Sequence, residues 1–232
     1  MIDIRPFSSL GAANHGWLNA RHHFSFANYH DPARMGWGNL RVWNDDEIAA
    51  QSGFPQHPHR DMEIITYVRQ GAITHKDNLG NEGRTEAGDV QVMSAGSGIA
   101  HSEFNAEDQK TRIFQIWVEP TATGGEPRWG AKPFPKGDRS GNWTILASGS
   151  DDDKDALMIR ADAQVAGISL KTNETTSWTL GEGRKAYLVA ATGSMMVGEE
   201  LANERDGVAV ENVGTIEIKA LEDTEIVLVD TI

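Results

Sequence analysis

The sequence predicts an all-β protein built from two related barrels packed together, with few short helices. Apolar segments are short, rich in Val, Ile, Tyr and Trp, and interrupted by Gly, Asn or Asp. A Pro/Gly-rich stretch interrupts the 232-residue chain near its middle. The segments on its two sides also share a pattern: Ile65-Thr66-Tyr67-Val68, then Gly71 and Gly88-Asp89-Val90, parallels Ala186-Tyr187-Leu188-Val189, then Gly193 and Gly207-Val208.

The clearest strands are Glu63–Arg69, Arg112–Val118 and Glu225–Val229, and 215–219 alternates with period two as a half-buried strand does. Turn clusters lie at 77–81 and 86–89. Asp45-Asp46-Glu47-Ile48-Ala49-Ala50 is the one stretch read as a short helix. Four of the eight prolines, Pro120, Pro127, Pro133 and Pro135, fall in the central segment together with Gly124-Gly125. Proline has no N–H for a sheet ladder, so 121–142 reads as a connection between domains at 1–120 and 143–232.

Composition excludes several classes of function. With no cysteine, disulfides, thiolate metal sites, iron–sulfur clusters and cysteine nucleophiles are impossible. The net charge of -13 disfavours direct nucleic-acid binding, which needs basic patches. The charge is uneven: 14 acidic and 10 basic residues in 1–116 leave -4, and 20 against 11 in the remainder leave -9. Charges in the opening Met1-Ile2-Asp3-Ile4-Arg5 replace the apolar run of a signal peptide, and no apolar run approaches membrane-spanning length. A cytoplasmic protein with no membrane contact is the expectation.

All eight histidines lie at or before residue 101. Two pairs stand out, His57-Pro58-His59 and His101-Ser102-Glu103. Residues i and i+2 of a strand project from one face, and adjacent strands lie about 4.8 Å apart, so two such pairs facing one interior can converge on an ion. Three imidazoles and a carboxylate suit Fe, Mn, Co, Ni, Cu or Zn and do not suit calcium. Glu63 shares parity with His57 and His59, so the residues alone leave either carboxylate open. His15, His22, His23, His30 and His75 lack comparable partners, and the adjacent His22 and His23 are expected to face opposite ways.

The spacing His57-x-His59-x-x-x-Glu63 with Gly71, followed by Gly88, Ser94, Gly96, Gly98, His101 and Asn105, resembles the paired cupin motifs. Phe24-Ser25-Phe26-Ala27-Asn28-Tyr29, His57-Pro58-His59-Arg60-Asp61-Met62-Glu63 and Met93-Ser94-Ala95-Gly96-x-Gly98-Ile99-x-His101-Ser102-Glu103 resemble the pirin family. The match spans roughly residues 10–120, and the rest resembles the family only in its bicupin layout. The resemblance implies two cupin barrels with one mononuclear metal, Fe(II) first among the candidates, in the N-terminal barrel. It maps the ligands onto His57, His59, His101 and Glu103, where ordinary cupins take a carboxylate at the position of Glu63. Aligning Tyr187 with Tyr67 sets Ser177 and Thr179 opposite His57 and His59, so the second barrel cannot rebuild the site. Its expected role is to cover the first barrel or to face a partner.

The family is associated with quercetin 2,3-dioxygenase activity, in which a flavonol heterocycle is opened by dioxygen with loss of carbon monoxide. The resemblance therefore implies a small aromatic substrate and O2, with Glu103 as catalytic base. It also implies a second reading, a non-catalytic iron-binding, redox- or metal-sensing regulator acting through a protein partner. Phe24 and Phe26 are candidate walls of a planar pocket. A sugar-phosphate isomerase is poorly supported, since Arg60 is the lone cation beside the motifs.

Overall fold

The computed structural model describes residues 1–133 and 140–232; Pro135, one of the prolines of the central segment, lies outside the described residues. Two seven-stranded and two four-stranded sheets form the described part of the chain. The first large sheet runs, edge to edge, Arg128–Lys132, Val90–Ser94, Glu63–Gln70, Thr111–Val118, Leu40–Ile48, Leu18–His22 and Gly11–Asn14. It faces a small sheet of Ser52–His59, Ile99–Asn105, Ala72–Asp77 and Glu82–Glu86. The second large sheet runs Ile2–Arg5, Gly207–Glu211, Lys185–Thr192, Thr224–Thr231, Ala163–Leu170, Thr144–Ser148 and Leu157–Met158. Its small companion is Thr175–Thr179, Thr215–Ala220, Met195–Val197 and Glu200–Ala202. The central strands of the two barrels repeat each other, as the Tyr67 and Tyr187 segments foretell, and the edges differ: Gly11–Asn14 pairs antiparallel with its neighbour and Leu157–Met158 parallel.

The period-two pattern explains what each face buries. On Glu63–Gln70, Ile65 and Tyr67 join Tyr187, Val189, Val227 and Val229 in a core between the barrels, where Trp43, Phe114 and Phe24 also pack. Each such fully buried apolar side chain contributes about 1.5–3 kcal/mol. The alternate residues point into the barrels, and there the repeats differ. The interior of the second barrel is one continuous apolar cluster, including Ile168, Leu188, Val208, Val210, Ile218 and Leu228. That of the first is split into two apolar groups, one around Val68, Ile73 and Ile113, the other around Ile64, Met93 and Ile99. Polar residues occupy the layer between: the facing pair Thr66 and Gln91 stands where the second barrel has Ala186 and Val210.

Three expectations need correction. Residues 45–48 belong to the strand Leu40–Ile48, paired on both sides, and not to a helix. Tertiary pairing overrides the local preference: Asp45 binds Arg69 and Arg205, Glu47 binds Lys110 and Arg112, and Asp46 between them is buried, which raises its carboxyl. The one helical element among the described residues is the 3-10 turn Phe7–Ser9, and no helix is long and apolar enough to cross a membrane. The stretch 121–142 is not connection throughout, since Arg128–Lys132 pairs antiparallel with Val90–Ser94. Pro127 and Pro133 flank that strand without interrupting it. Finally Ile2–Arg5 pairs with Gly207–Glu211, so the start of the chain adds a strand to the second barrel's sheet.

Candidate metal centre

His57 and His59 end the strand Ser52–His59, and the antiparallel register sets His101 directly opposite His57. Along Ile99–Asn105 burial alternates, and Ile99, His101, Glu103 and Asn105 are the buried set. The three imidazoles therefore meet, with ring centroids 4.5–4.9 Å apart and one donor atom from each within 4.8 Å of the others. His57 Nε2 and His101 Nε2 lie 3.2 Å apart. Two nitrogens bound about 2.1 Å from one ion are separated by about 3.0 Å in octahedral and about 3.4 Å in tetrahedral geometry, so that spacing fits a shared ion.

The electronic state fits as well. His57 Nδ1 donates to the Pro55 carbonyl at 2.8 Å, which leaves its Nε2 with a lone pair. His59 Nε2 is buried without any hydrogen-bond partner, and an imidazole nitrogen orphaned inside a protein is what a cation would satisfy. Burial, then the neighbouring imidazoles, push His101 down to about 3 and His59 down to about 4, so both rings are neutral near pH 7. Neutral imidazole is the form that binds a divalent metal.

The carboxylates divide. Glu103 faces the interior with His101, but its oxygens lie outside the three-histidine group. They accept bonds from Thr66 Oγ1 at 3.0 Å, Gln91 Nε2 at 2.7 Å and Gln115 Nε2 at 2.6 Å. Glu63 is removed from the site altogether. Asp61 adopts a left-handed φ of 48° in the turn after His59, and Glu63 opens a new strand whose side chain meets Ser94 Oγ at 2.6 Å. Parity with His57 fails because the strand does not continue straight through residues 60–62. Burial raises the Glu63 carboxyl, with the Ser94 bond and the Arg128 and Arg160 charges opposing it.

Several neighbours escaped the reading of the sequence. His75 is buried behind His101, with its Nδ1 3.3 Å from His101 Nδ1 and its Nε2 3.0 Å from Asp77 Oδ2. The signal was present, since His75-x-Asp77 has the same i, i+2 spacing as the two pairs that were recognised. Thr66, Gln91 and Gln115 were detectable only as polar residues at inward parity. Trp117 packs edge-on against His59 at 5.0 Å, and Phe26 against Trp117 at 5.4 Å. Gln115 Oε1 accepts from Trp117 Nε1 at 3.3 Å, which links that wall to Glu103. Phe26 thus lies near the site, whereas Phe24 is buried in the inter-barrel core against Tyr187. His22 and His23 do face opposite ways, the first bonded to Asn44 and the second to Tyr187.

Residues 4–118 match the pirin family model, and residues 145–231 match a model described as the quercetinase C-terminal cupin domain. A pirin-like protein of Caulobacter vibrioides is 64% identical over 230 residues, 99% of each chain. The chain belongs to the pirin family. Another relative, named quercetin 2,3-dioxygenase in Escherichia coli, is 38% identical over 231 residues, covering 99% of this chain and 98% of its own. The crystal structure of the bacterial pirin YhhW from Escherichia coli in complex with nickel(II) superposes with a TM-score of 0.94 at 37% identity, covering 100% of this chain and 99% of that one. A pirin fold with three converging imidazoles supports a divalent metal in the first barrel. In the second, the corresponding strand Thr175–Thr179 carries Ser177 and Thr179, which offer no imidazole.

Proposed function

We propose that this pirin is a metal-dependent dioxygenase that opens the heterocycle of a flavonol such as quercetin with O2 and releases carbon monoxide. The observation that carries the reading is the cluster of three converging imidazoles, two of them held neutral by burial, beside a buried carboxylate in the one barrel with a polar layer inside it. Relatives named quercetin 2,3-dioxygenase support the reaction class.

His57, His59 and His101 hold the ion, with Glu103 as fourth ligand. Fe(II) is the ion of this reading, although a nitrogen/oxygen donor set accepts Mn, Co, Ni, Cu or Zn and cellular availability selects among them. When bound, the ion supplies a Lewis-acid centre for the substrate oxygen and a site for dioxygen chemistry. The chain's own groups do the rest. An ionised carboxylate has about four lone-pair positions. Thr66, Gln91 and Gln115 use three of those on Glu103, and the fourth remains for the ion or for the 3-hydroxyl proton of the flavonol. Transfer of that proton would take the lone pair of Glu103 that otherwise binds the ion, turning the substrate into an electron-rich enolate and Glu103 into a neutral acid. Trp117 and Phe26 present apolar ring surface beside His59, which suits a flat aromatic substrate and keeps water from its face. A pocket of about 420 Å3 opens at the same edge, lined by Pro58, His59, Arg60, Asn78 and Gly98–Ala100, within the size range of small-molecule sites.

The test is quercetin consumption, oxygen uptake and carbon monoxide release by metal-loaded protein, metal-free protein and His59→Ala. Turnover confined to the metal-loaded wild type is the expected result. Equal rates in all three samples refute the reading, as does a metal-loaded wild type without turnover.

A further inference from the structure

We propose that His75 and Asp77 are positioning residues, forming a carboxylate–imidazole–imidazole relay, clamped by Trp129, that presets His101 in the tautomer able to bind a metal. The inference rests on the metal-binding part of the reading above and is independent of the substrate.

The relay follows from counting donors and acceptors. Asp77 accepts through both oxygens: Oδ1 from the backbone N–H groups of Leu79 at 2.9 Å and Asn81 at 3.0 Å, Oδ2 from Asn81 Nδ2 at 2.9 Å. A carboxylate so engaged can only accept, so His75 Nε2, 3.0 Å from Oδ2, carries the proton and donates it. The relay assigns His75 that one ring proton, which makes its Nδ1 an acceptor. His101 Nδ1, 3.3 Å away, must then donate. The remaining nitrogen, His101 Nε2, keeps its lone pair and lies 3.2 Å from His57 Nε2, where the ion is expected. The proton on His101 is thus decided through His75 by Asp77, the residue opposite His101 on the neighbouring strand. His57 reaches the same tautomer by a different device, the Pro55 carbonyl.

The clamp comes from outside the first barrel's own sequence. Trp129 lies on the strand Arg128–Lys132, beyond the 4–118 span that matches the pirin model, and stacks on His75 at 4.8 Å with an interplanar angle of 7°. Gly83 makes room for it, since a Cβ there would lie 2.2 Å from Trp129 Cη2. His75 is therefore enclosed by Trp129, Asp77 and His101, with no solvent-exposed surface of its own. Outer partners of metal-bound histidines fix ring orientation and donor strength, and losing one typically costs about 10–100-fold in metal affinity.

Two measurements test the relay without quercetin or oxygen, so a failure of the dioxygenase reading leaves both intact. Long-range 1H–15N NMR of the metal-free protein reads which ring nitrogen carries hydrogen, and Ni(II) titration against a chromophoric chelator reads affinity. In wild type, His101 is expected as the Nδ1–H form and His75 as the Nε2–H form. His75→Phe keeps the stack on Trp129 but has no acceptor; it should give a tautomer mixture at His101 and weaken Ni(II) binding about 10–100-fold. His75→Gln can accept from His101 and donate to Asp77 through one amide, and should recover most of the loss. Should His75→Phe not fold, the wild-type spectrum still decides. His101 found as Nε2–H, or His75 found doubly protonated, overturns the proposal. So does a folded His75→Phe with wild-type tautomer and affinity.

Discussion

Replacing Glu103 with glutamine tests the proposed ligand set most sharply, because the surroundings of that carboxylate cannot adapt. Gln115 is pinned by the Trp117 indole on its oxygen and Gln91 by the Thr85 hydroxyl on its own, so both amides must keep pointing N–H at position 103. A glutamine there offers one acceptor oxygen and one NH2 to three donors, and only the Thr66 hydroxyl can turn to accept. Hydrogen bonds to a charged group are worth about 1.5–3 kcal/mol and neutral ones about 0.5–1.5. Gln91 and Gln115 bond different oxygens of Glu103, so one of their N–H groups must face the new NH2; losing that bond and weakening the others predicts a loss of about 2–5 kcal/mol in the stability of the metal-free protein. Metal affinity should fall further, beyond the roughly 100-fold that even an outer-shell loss can cost, because a ligand and its charge are removed together. Glu63→Gln is the control, giving up one bond from Ser94 on the far side of the turn at Asp61. Its Ni(II) affinity should stay well inside the roughly 10-fold lower limit for an outer-shell loss. Urea unfolding of metal-free protein gives the first quantity, and Ni(II) titration against a competing chelator the second. Greater metal loss in Glu63→Gln than in Glu103→Gln would refute the assignment.

Two further outcomes concern the junction between the barrels. Asp45 has no exposed side-chain surface and lies between Arg69 of the first barrel and Arg205 of the second, 2.5 Å from Arg205 Nε. Asp45→Asn takes the paired carboxylate from buried Arg69 and leaves Arg205 only Glu47 at 3.9 Å; it should cost about 3–5 kcal/mol in urea unfolding, and an unchanged midpoint removes the pair from the stabilising contacts. His23 is buried beside Tyr187, and burial followed by the charges of Arg5, Arg34, Arg205 and Arg69 holds it well below 6.5. As pH falls below about 6.5 the unfolded chain takes up a proton at this residue that the folded chain refuses, so stability declines by up to about 1.4 kcal/mol per pH unit. His23→Gln should flatten the slope of stability against pH by that amount between about pH 6.5 and 5, and parallel curves for the two proteins would contradict the buried neutral ring.

Period-two patterning in the sequence decides much of this protein. It placed strands at 63–69, 112–118 and 225–229, paired the Tyr67 and Tyr187 segments as repeats, and set His57, His59 and His101 on common faces. The absence of histidine after residue 101 limited imidazole chemistry to one barrel. These are local properties, since side-chain direction in a strand depends only on neighbouring dihedrals. What the tertiary structure alone decided depends on contacts between distant residues or on single turns. The left-handed Asp61 sends Glu63 away from the histidines, although its spacing from them in the sequence is even. Long-range ion pairs hold Asp45 and Glu47 in a strand where the local sequence reads as a short helix. Ile2 pairs with Val210 across nearly the whole chain, and Trp129 reaches back over Gly83 to His75. No window of sequence contains both members of such a pair, so the composition of the metal site was readable, and the layer that supports it was not.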